Sequence, residues 1–379
     1  MTRVYFIRHA EAEGNLYRRM QGHYDGHLTD NGRRQLEFLE KRFKNIRIDA
    51  VYSSDLRRAI ETAAAIHVPK GLPLHTDPRL REFYFGIVED MPWGNAGYEF
   101  PDQIRYFNEQ PHLFRLDGAE TIFSVQRRMR EAVDEIVAAN PGKTAAVVTH
   151  GSALRALLAD LLGVPAEKSG SLGHSENTAV SCVEFDGGSI NLIYKNDAGH
   201  LPEDMRTLAK QSWWKPGQLE KELNIRFTPM DPDECRRLYI EWRLDAWRHI
   251  YNTEDGCDPE AFWEEAVHLS RRRPERLQLC SFMDEPAGVL QLDEDRYGGV
   301  TAGHISFCYL TPKYRFRHLG VQLIGEAVSR FRREGRKALR LCVAYENLSA
   351  IRFYEKNGFR QVGERSGCFG MLKLMEKEI

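Results

Sequence analysis

At 379 residues, with 42% hydrophobic and 28% charged residues, the chain has an ordinary globular composition and enough length for two cores. A formal net charge of -2 excludes a global basic field for nucleic acid or an anionic membrane. No apolar run approaches the roughly 18 residues of a membrane span, and the few apolar residues before Arg8 are too short for a signal-peptide core. The seven cysteines stand singly, without a C-x-x-C pair, so neither a zinc site nor a disulfide framework is expected. A reduced, cytoplasmic setting fits this usage.

Apolar periodicity over the first half predicts a strand at 4–7, a helix at 30–43, a strand at 50–53 and helices at 56–67 and 122–139. A strand at 145–149, a helix at 152–162 and edge strands near 181–185 and 189–194 complete it. Short apolar runs alternating with amphipathic helices predict an α/β fold, a sheet layered by helices on both sides. Ligands of such sheets sit beyond the carboxyl ends of the strands. The strand at 4–7 runs into Arg8 and His9, and that at 145–149 runs into His150 and Gly151, so two strands deliver a histidine to that edge.

Metal-free cleavage of a phosphate ester needs a neutral imidazole nucleophile, fixed positive charge around the oxygens and an acid for the leaving alkoxide. Arg8, Arg58 and His150 supply charge, and Glu82 supplies a carboxyl group. His23 and His27 have the i,i+4 spacing of a metal pair. They lie in a glycine-flanked loop rather than on a helix, so no metal site is expected.

Six ordered matches resemble the histidine phosphatase, or phosphoglycerate-mutase-like, superfamily. Arg8-His9-Ala10-Glu11 with Asn15 is similar to its R-H-G-E-x-x-x-N opening, with alanine in place of glycine. Gln21-Gly22, Asp25, Leu28-Thr29 and Gly32 follow its next loop. Ser53-Ser54-Asp55-Leu56-Arg57-Arg58-Ala59 with Thr62-Ala63 resembles S-S-x-L-x-R-A-x-x-T-A, and Leu80-Arg81-Glu82 with Gly86 and Glu89 resembles L-x-E-x-x-x-G-x-x-E. Gly118-Ala119-Glu120-Thr121 stands where G-E-S is usual, and Val148-Thr149-His150-Gly151 matches V-x-H-G.

The resemblance implies a layered α/β/α fold and a small-molecule phosphate ester as substrate. His9 is then the phosphoacceptor, and Arg8, Arg58 and His150 hold the phosphoryl oxygens. Asn15 and the Gly151 amide add neutral donors, and Glu82 is the proton donor. A neutral His9 requires its remote nitrogen to donate to a fixed acceptor, such as a backbone carbonyl. The compact domain favours a phosphatase over a phosphoglycerate-type mutase, which must exclude water. Aromatic residues in the 92–116 stretch, Phe107 and Phe114 among them, form the expected specificity region for a ring-bearing or partly apolar alcohol.

Residues 1–200 are thus expected to form one domain and 225–379 another. The polar stretch 201–224, with Pro202, Pro216 and Gly217, reads as a linker pinned to a domain by Trp213 and Trp214. Beyond it, strands are expected at 225–228, 276–282, 287–292, 304–310 and 338–344, with two more closing the chain. Helices at 233–250, 259–272, 319–334 and 349–357 make this half α+β with a mixed central sheet.

Between Leu310 and Gly320 a strand ends in a basic turn that opens a helix, where free amides and partial positive charge suit phosphate. Tyr314-Arg315-Phe316-Arg317-His318-Leu319-Gly320-Val321-Gln322-Leu323 resembles the Y-R-G-x-G-x-G-x-x-L loop of the GNAT N-acyltransferase superfamily. The run from Asn347 through Ala350, Phe353-Tyr354, Lys356 and Gly358-Phe359 is close to its N-x-x-A-x-x-F-Y-x-K-x-G-F signature.

That resemblance implies acetyl-CoA as acyl donor and a small-molecule or peptide amine as acceptor. The amides of 315–320 then cradle the pyrophosphate, with added charge from Arg315, Arg317 and His318. Leu310 ends the strand that bonds pantetheine, Asn347 holds its far end, and Tyr354 protonates the thiolate. Phe316 and His318 replace glycines, and the 304–310 strand offers no glutamate as base. A domain that binds CoA without transferring acyl groups is the alternative.

Overall fold

The computed structural model describes residues 1–211, 224–296 and 301–379. They form two compact units, Met1–Met91 with Ala96–Glu222, and Pro92–Asn95 with Leu223–Ile379. Trp213 and Trp214, expected to pin the linker, lie outside the described residues.

The first unit is built on a six-stranded sheet, made of β1 (Thr2–Arg8), β2 (Ala50–Ser53), β3 (Leu74–Thr76), β4 (Thr144–Thr149), β5 (Val180–Asp186) and β6 (Ser189–Asp197). Their order is β3-β2-β4-β1-β5-β6. The first four run parallel, β5 is antiparallel to β1, and β6 is antiparallel to β5. Val4, Phe6, Ile7 and the whole run Ala145 to Val148 are completely buried, because helices cover both faces. Each of the larger side chains, Val4, Phe6, Ile7, Val147 and Val148, contributes about 1.5–3 kcal/mol by leaving water.

Helices α2 (Asp30–Phe43), α3 (Arg57–His67), α6 (Ile122–Ala139) and α7 (Gly151–Leu161) follow the expected amphipathic runs. Thr29 starts α2 by accepting the Gly32 N–H at 2.9 Å, and Thr121 caps α6 in the same way. Three short helices, α1 (Glu13–Tyr17), α4 (Trp93–Glu99) and α5 (Pro101–Glu109), and strand β3 were not anticipated. Each is too short for a periodic signal. β5 is not an edge strand as expected. It pairs with β1 on one side and β6 on the other.

The expected linker also begins too early. Leu201, Thr207 and Leu208 are buried, and the Thr207 and Leu208 amides donate to the two carboxylate oxygens of Glu176 at 2.9 and 2.8 Å. Residues 201–211 therefore belong to the first unit. A polar composition concealed this, because the segment is held mainly by hydrogen bonds.

The second unit carries a seven-stranded sheet. Its strands are β7 (Arg226–Pro229), β8 (Leu277–Phe282), β9 (Glu285–Asp293), β10 (Ala302–Leu310), β11 (Ala338–Ala344), β12 (Arg360–Gly367) and β13 (Gly370–Glu378). They lie in the order β12-β13-β11-β10-β9-β8-β7. Helices α8 (Pro232–Tyr251), α9 (Pro259–Arg272), α10 (Gly320–Arg333) and α11 (Leu348–Lys356) complete it. Asp231 and Asp258 cap α8 and α9, each followed by proline at the first helical position.

Among the described residues of this sheet only β10 and β11 are parallel, and they pair just from Ala302 and Ala338 to Ile305 and Leu341. Past Ile305, where the β9–β10 register also shifts, β10 parts from β11 and leaves a notch in the sheet. Among the described residues no helix is long and apolar enough to cross a membrane.

Candidate active sites

Because β1 and β4 are parallel neighbours, with Arg8 opposite Thr149, their carboxyl ends bring His9 and His150 together. The two imidazole centroids lie 5.1 Å apart with planes at 57°. His9 Nδ1 sits 2.7 Å from the Ala10 carbonyl oxygen. A carbonyl can only accept, so Nδ1 carries the proton and Nε2 keeps its lone pair. Burial, and then the guanidinium groups of Arg58 and Arg8, hold the His9 pKa well below the ordinary 6.5. His150 is depressed in the same direction, first by burial and then by Arg58.

The two arginines are anchored by part of each guanidinium only. Arg58, fully buried on α3, donates to the carbonyls of Tyr24 at 2.8 Å and Gly22 at 2.7 Å, and burial lowers its pKa to about 10. Arg8 donates from Nη1 to the Ser175 carbonyl. Arg8 Nε, Arg58 Nε and both ring nitrogens of His150 are buried without a partner among the described residues. Buried polar atoms of this kind are ordinarily completed by water, an ion or a ligand, and four of them converge here. Gly151 packs closely beside them: a Cβ there would lie 3.2 Å from Arg8 Nε, so the guanidinium would have to shift by a few tenths of an ångström.

Helix α7 has no side-chain cap of its own. Glu82 provides one from across the fold: Oε1 accepts from Ala153 at 2.7 Å and from Phe83 at 3.0 Å, and Oε2 accepts from Ser152 at 3.0 Å. Its carboxylate is thereby fixed within electrostatic reach of Arg8 and Arg58. Asn15 is turned toward the same strand end by Asn177, whose Nδ2 lies 3.4 Å from Asn15 Oδ1 and donates to the His9 carbonyl at 2.9 Å. Ala10 needs no glycine conformation; it is fully buried and its N–H donates to Thr62 Oγ1 at 2.9 Å.

In the second unit, α10 begins at Gly320 without a side-chain cap and without an acidic residue in its first turn. Phe316 and His318 adopt φ of 59° and 58°, the left-handed conformation natural to glycine. The loop therefore keeps a glycine-type backbone despite two side chains, both of which point into solvent. At Gly320 itself a Cβ would crowd the Phe353 ring at 3.0 Å. Arg317 is exposed and Leu319 buried.

Arg315 is a correction. Its guanidinium turns inward, with Nε on the Leu310 carbonyl at 2.8 Å and Nη2 on Asp245 at 2.8 Å, so its charge is spent within the fold. Asn347 is the N-cap of α11, with Oδ1 accepting from Ala350 at 3.2 Å. Across the notch Tyr354 lies beside Cys308 on β10, and burial drives its pKa well above 10. The phenol is therefore protonated at any working pH.

Residues 4–198 match the description Histidine phosphatase superfamily (branch 1), just over half of the chain. The chain belongs to the histidine phosphatase superfamily. Residues 233–359 match the Acetyltransferase (GNAT) family, so a GNAT domain follows in the same polypeptide. A Yersinia pestis protein described as a probable phosphoglycerate mutase is 35% identical over 185 residues, which is 49% of this chain and 86% of that protein. The solved YhfR of Bacillus stearothermophilus is 34% identical, with a TM-score of 0.52 over 53% of this chain and 99% of that one. A mycobacterial glucosyl-3-phosphoglycerate phosphatase, solved with VO3, is 28% identical, with a TM-score of 0.50 over 52% and 99%.

Within this histidine phosphatase domain, the expected His9, His150, Arg8, Arg58 and Glu82 converge at one strand edge. The expected aromatic wall does not hold throughout. Phe107 and Phe114 are buried and stack edge-to-face with Phe83 and Phe85 as core. His23 and His27 go separate ways, to the Glu82 carbonyl and to Arg57.

Sequence reasoning missed the segment that precedes β5. Ser175 holds Arg8, and Asn177 holds His9. Thr178, strained at φ 59°, donates to the Arg8 carbonyl at 3.1 Å. Its only signal is a polar run before an apolar strand. Arg155, buried on α7 with His174 at its guanidinium, was also missed, having no motif partner nearby in sequence.

Proposed function

We propose that the first unit hydrolyses phosphate monoesters through a phosphohistidine at His9. The observation that carries this is the fixed tautomer of His9 beside four unpartnered nitrogens, the Nε atoms of Arg8 and Arg58 and the two ring nitrogens of His150. His9 Nε2 attacks phosphorus; the N–P bond forms as the P–O bond breaks, and Glu82 gives its proton to the alkoxide. Oε2, with one N–H partner against two on Oε1, has the free lone pair for this transfer. Glu82 then takes a proton from water as water attacks phosphorus, and inorganic phosphate leaves His9. Arg8, Arg58, His150, Asn15 and the Gly151 amide hold the equatorial oxygens throughout.

The mutase name borne by relatives at 35% identity supports a second reading, phosphate exchange on a phosphoglycerate. The two differ in product. A phosphate-release screen across metabolites, with His9→Ala as control, should give free phosphate with the native protein only. Isomerised ester without phosphate would establish the mutase. Label from phosphorylated substrate should be trapped on His9, and label elsewhere would overturn the nucleophile.

For the second unit the same reasoning supports acyl transfer from acetyl-CoA to an amine. The uncapped start of α10 fits a pyrophosphate, and the notch past Ile305 exposes strand groups that fit pantetheine amides. Acetyl-CoA, when bound, supplies an activated acyl carbon and a thiol leaving group. Tyr354 holds the proton that this sulfur requires, and Asn347 keeps α11 in place. Release of CoA thiol with an amine panel tests the reading, and its absence in the presence of bound acetyl-CoA would leave a sensor domain.

A further inference from the structure

The face of β10 opposite Cys308 carries a cation that the proposed acyl transfer does not use. Arg243 lies over the Phe307 ring at 3.7 Å and over the Phe262 ring at 4.4 Å. Its Nε donates to Tyr239 at 3.0 Å and its Nη2 to Gln291 at 3.3 Å, both neutral groups. Among the described residues no carboxylate pairs with it, and Nη1 has no partner. A half-buried guanidinium held rigid by two rings and two neutral acceptors, with one donor edge free, is preorganised for an anion.

Its position is specific. Phe307 directly follows the register shift at which β10 leaves β11, so Arg243 stands at the notch on the side away from Tyr354. On α8, Arg243, Trp247 and Tyr251 follow one another at four-residue spacing and share one helix face. Trp247 and Tyr251 meet the Phe369 ring, at the turn between β12 and β13, at 5.9 and 4.8 Å, and Trp247 meets Phe262 at 6.4 Å. One cation thus stands at the deep end of an aromatic surface whose outer ring, Phe369, is 43% exposed.

We propose that Arg243 binds the carboxylate of the acyl acceptor, which is an α-amino acid with an aromatic or bulky apolar side chain. This rests on the acyl-transfer reading and adds the acceptor's chemical class to it. The carboxylate bonds Nη1, the side chain lies along the Trp247 and Tyr251 rings, and the amine is left at the notch. A purely apolar amine would leave the guanidinium edge desolvated and unpaired.

The test compares L-phenylalanine with phenethylamine, its analogue without the carboxylate, by CoA-thiol release from acetyl-CoA with the full chain. The native protein should prefer the amino acid by about 10–100-fold in kcat/KM, the value of one charge-assisted pair. That ratio should collapse toward one in Arg243→Gln and recover in part in Arg243→Lys. A ratio near one in the native protein, or the same ratio in Arg243→Gln, overturns the proposal while leaving acyl transfer intact.

Calorimetric titration with N-acetyl-L-phenylalanine provides a readout independent of turnover. If no amine releases thiol and acetyl-CoA does not bind, the acyl-transfer reading falls. The Arg243 subsite then stands on titrant binding that Arg243→Gln abolishes, and falls if the native protein binds no titrant.

Discussion

Asn177 donates its side-chain N–H to the main-chain oxygen of His9 at 2.9 Å, fastening the polar segment before β5 to the strand end that carries the nucleophile. Asn177→Ala leaves a buried carbonyl short of a partner, and should cost about 1–3 kcal/mol of stability. Asn177→Asp accepts but cannot donate, so it should bring no recovery. Both should lower kcat by about tenfold, the effect of roughly 1.4 kcal/mol in the barrier, with melting temperature as the second readout.

Several buried histidines make the fold acid-sensitive. Burial, then neighbouring arginines, holds His9 and His150 well below 6.5, His174 at about 3 and His200 at about 4; His304 in the second unit is at about 3. The unfolded chain binds more protons than the folded one from 6.5 down to those values. Stability is therefore complete above about pH 6.5 and lost as pH falls, by up to about 1.4 kcal/mol per unit for each histidine. Urea unfolding at pH 7.5, 6 and 5 should show a falling midpoint at constant slope. A midpoint that does not move would contradict the buried neutral state.

Tyr354, pushed well above 10 by burial, should contribute no alkaline limb to acyl transfer below pH 10. Tyr354→Phe should slow CoA-thiol release by about 10²-fold or more at every pH. An unchanged rate across the profile would remove Tyr354 from the chemistry.

The left-handed Phe316, 94% exposed, allows a clean test of the phosphate loop. Phe316→Gly removes a Cβ penalty of about 1–2 kcal/mol and adds up to about 1 kcal/mol of unfolded-chain entropy, so stability should hold or rise. Phe316→Val should lower it, because a β-branched residue fits that conformation worst. Acetyl-CoA affinity by calorimetry should follow the same order.

A fragment of residues 1–211 should melt well above one of residues 1–200. The longer one keeps the Thr207 and Leu208 amides on Glu176 and the Thr207 hydroxyl on Glu11 at 2.8 Å. Equal melting temperatures would mean these bonds add nothing.

The local signals carried far. Continuous apolar runs specified β1 and β4, and each ends in its histidine within the motif itself. The starts of α8 and α9 fell within a residue of the expected 233 and 259. These features were legible because strand and helix periodicity and capping depend on neighbours in the chain.

Tertiary structure alone decided the rest. Glu82 is 70 and 71 residues from the amides of Ser152 and Ala153, and Arg315 is 70 from Asp245, so no window shows that one carboxylate caps a helix or that the other neutralises a loop arginine. The segment from Ser175 to Thr178 and the tail to Gln211 carry few apolar residues to announce burial. They are held by directional hydrogen bonds, whose partners are fixed only once the sheet has brought distant backbone together.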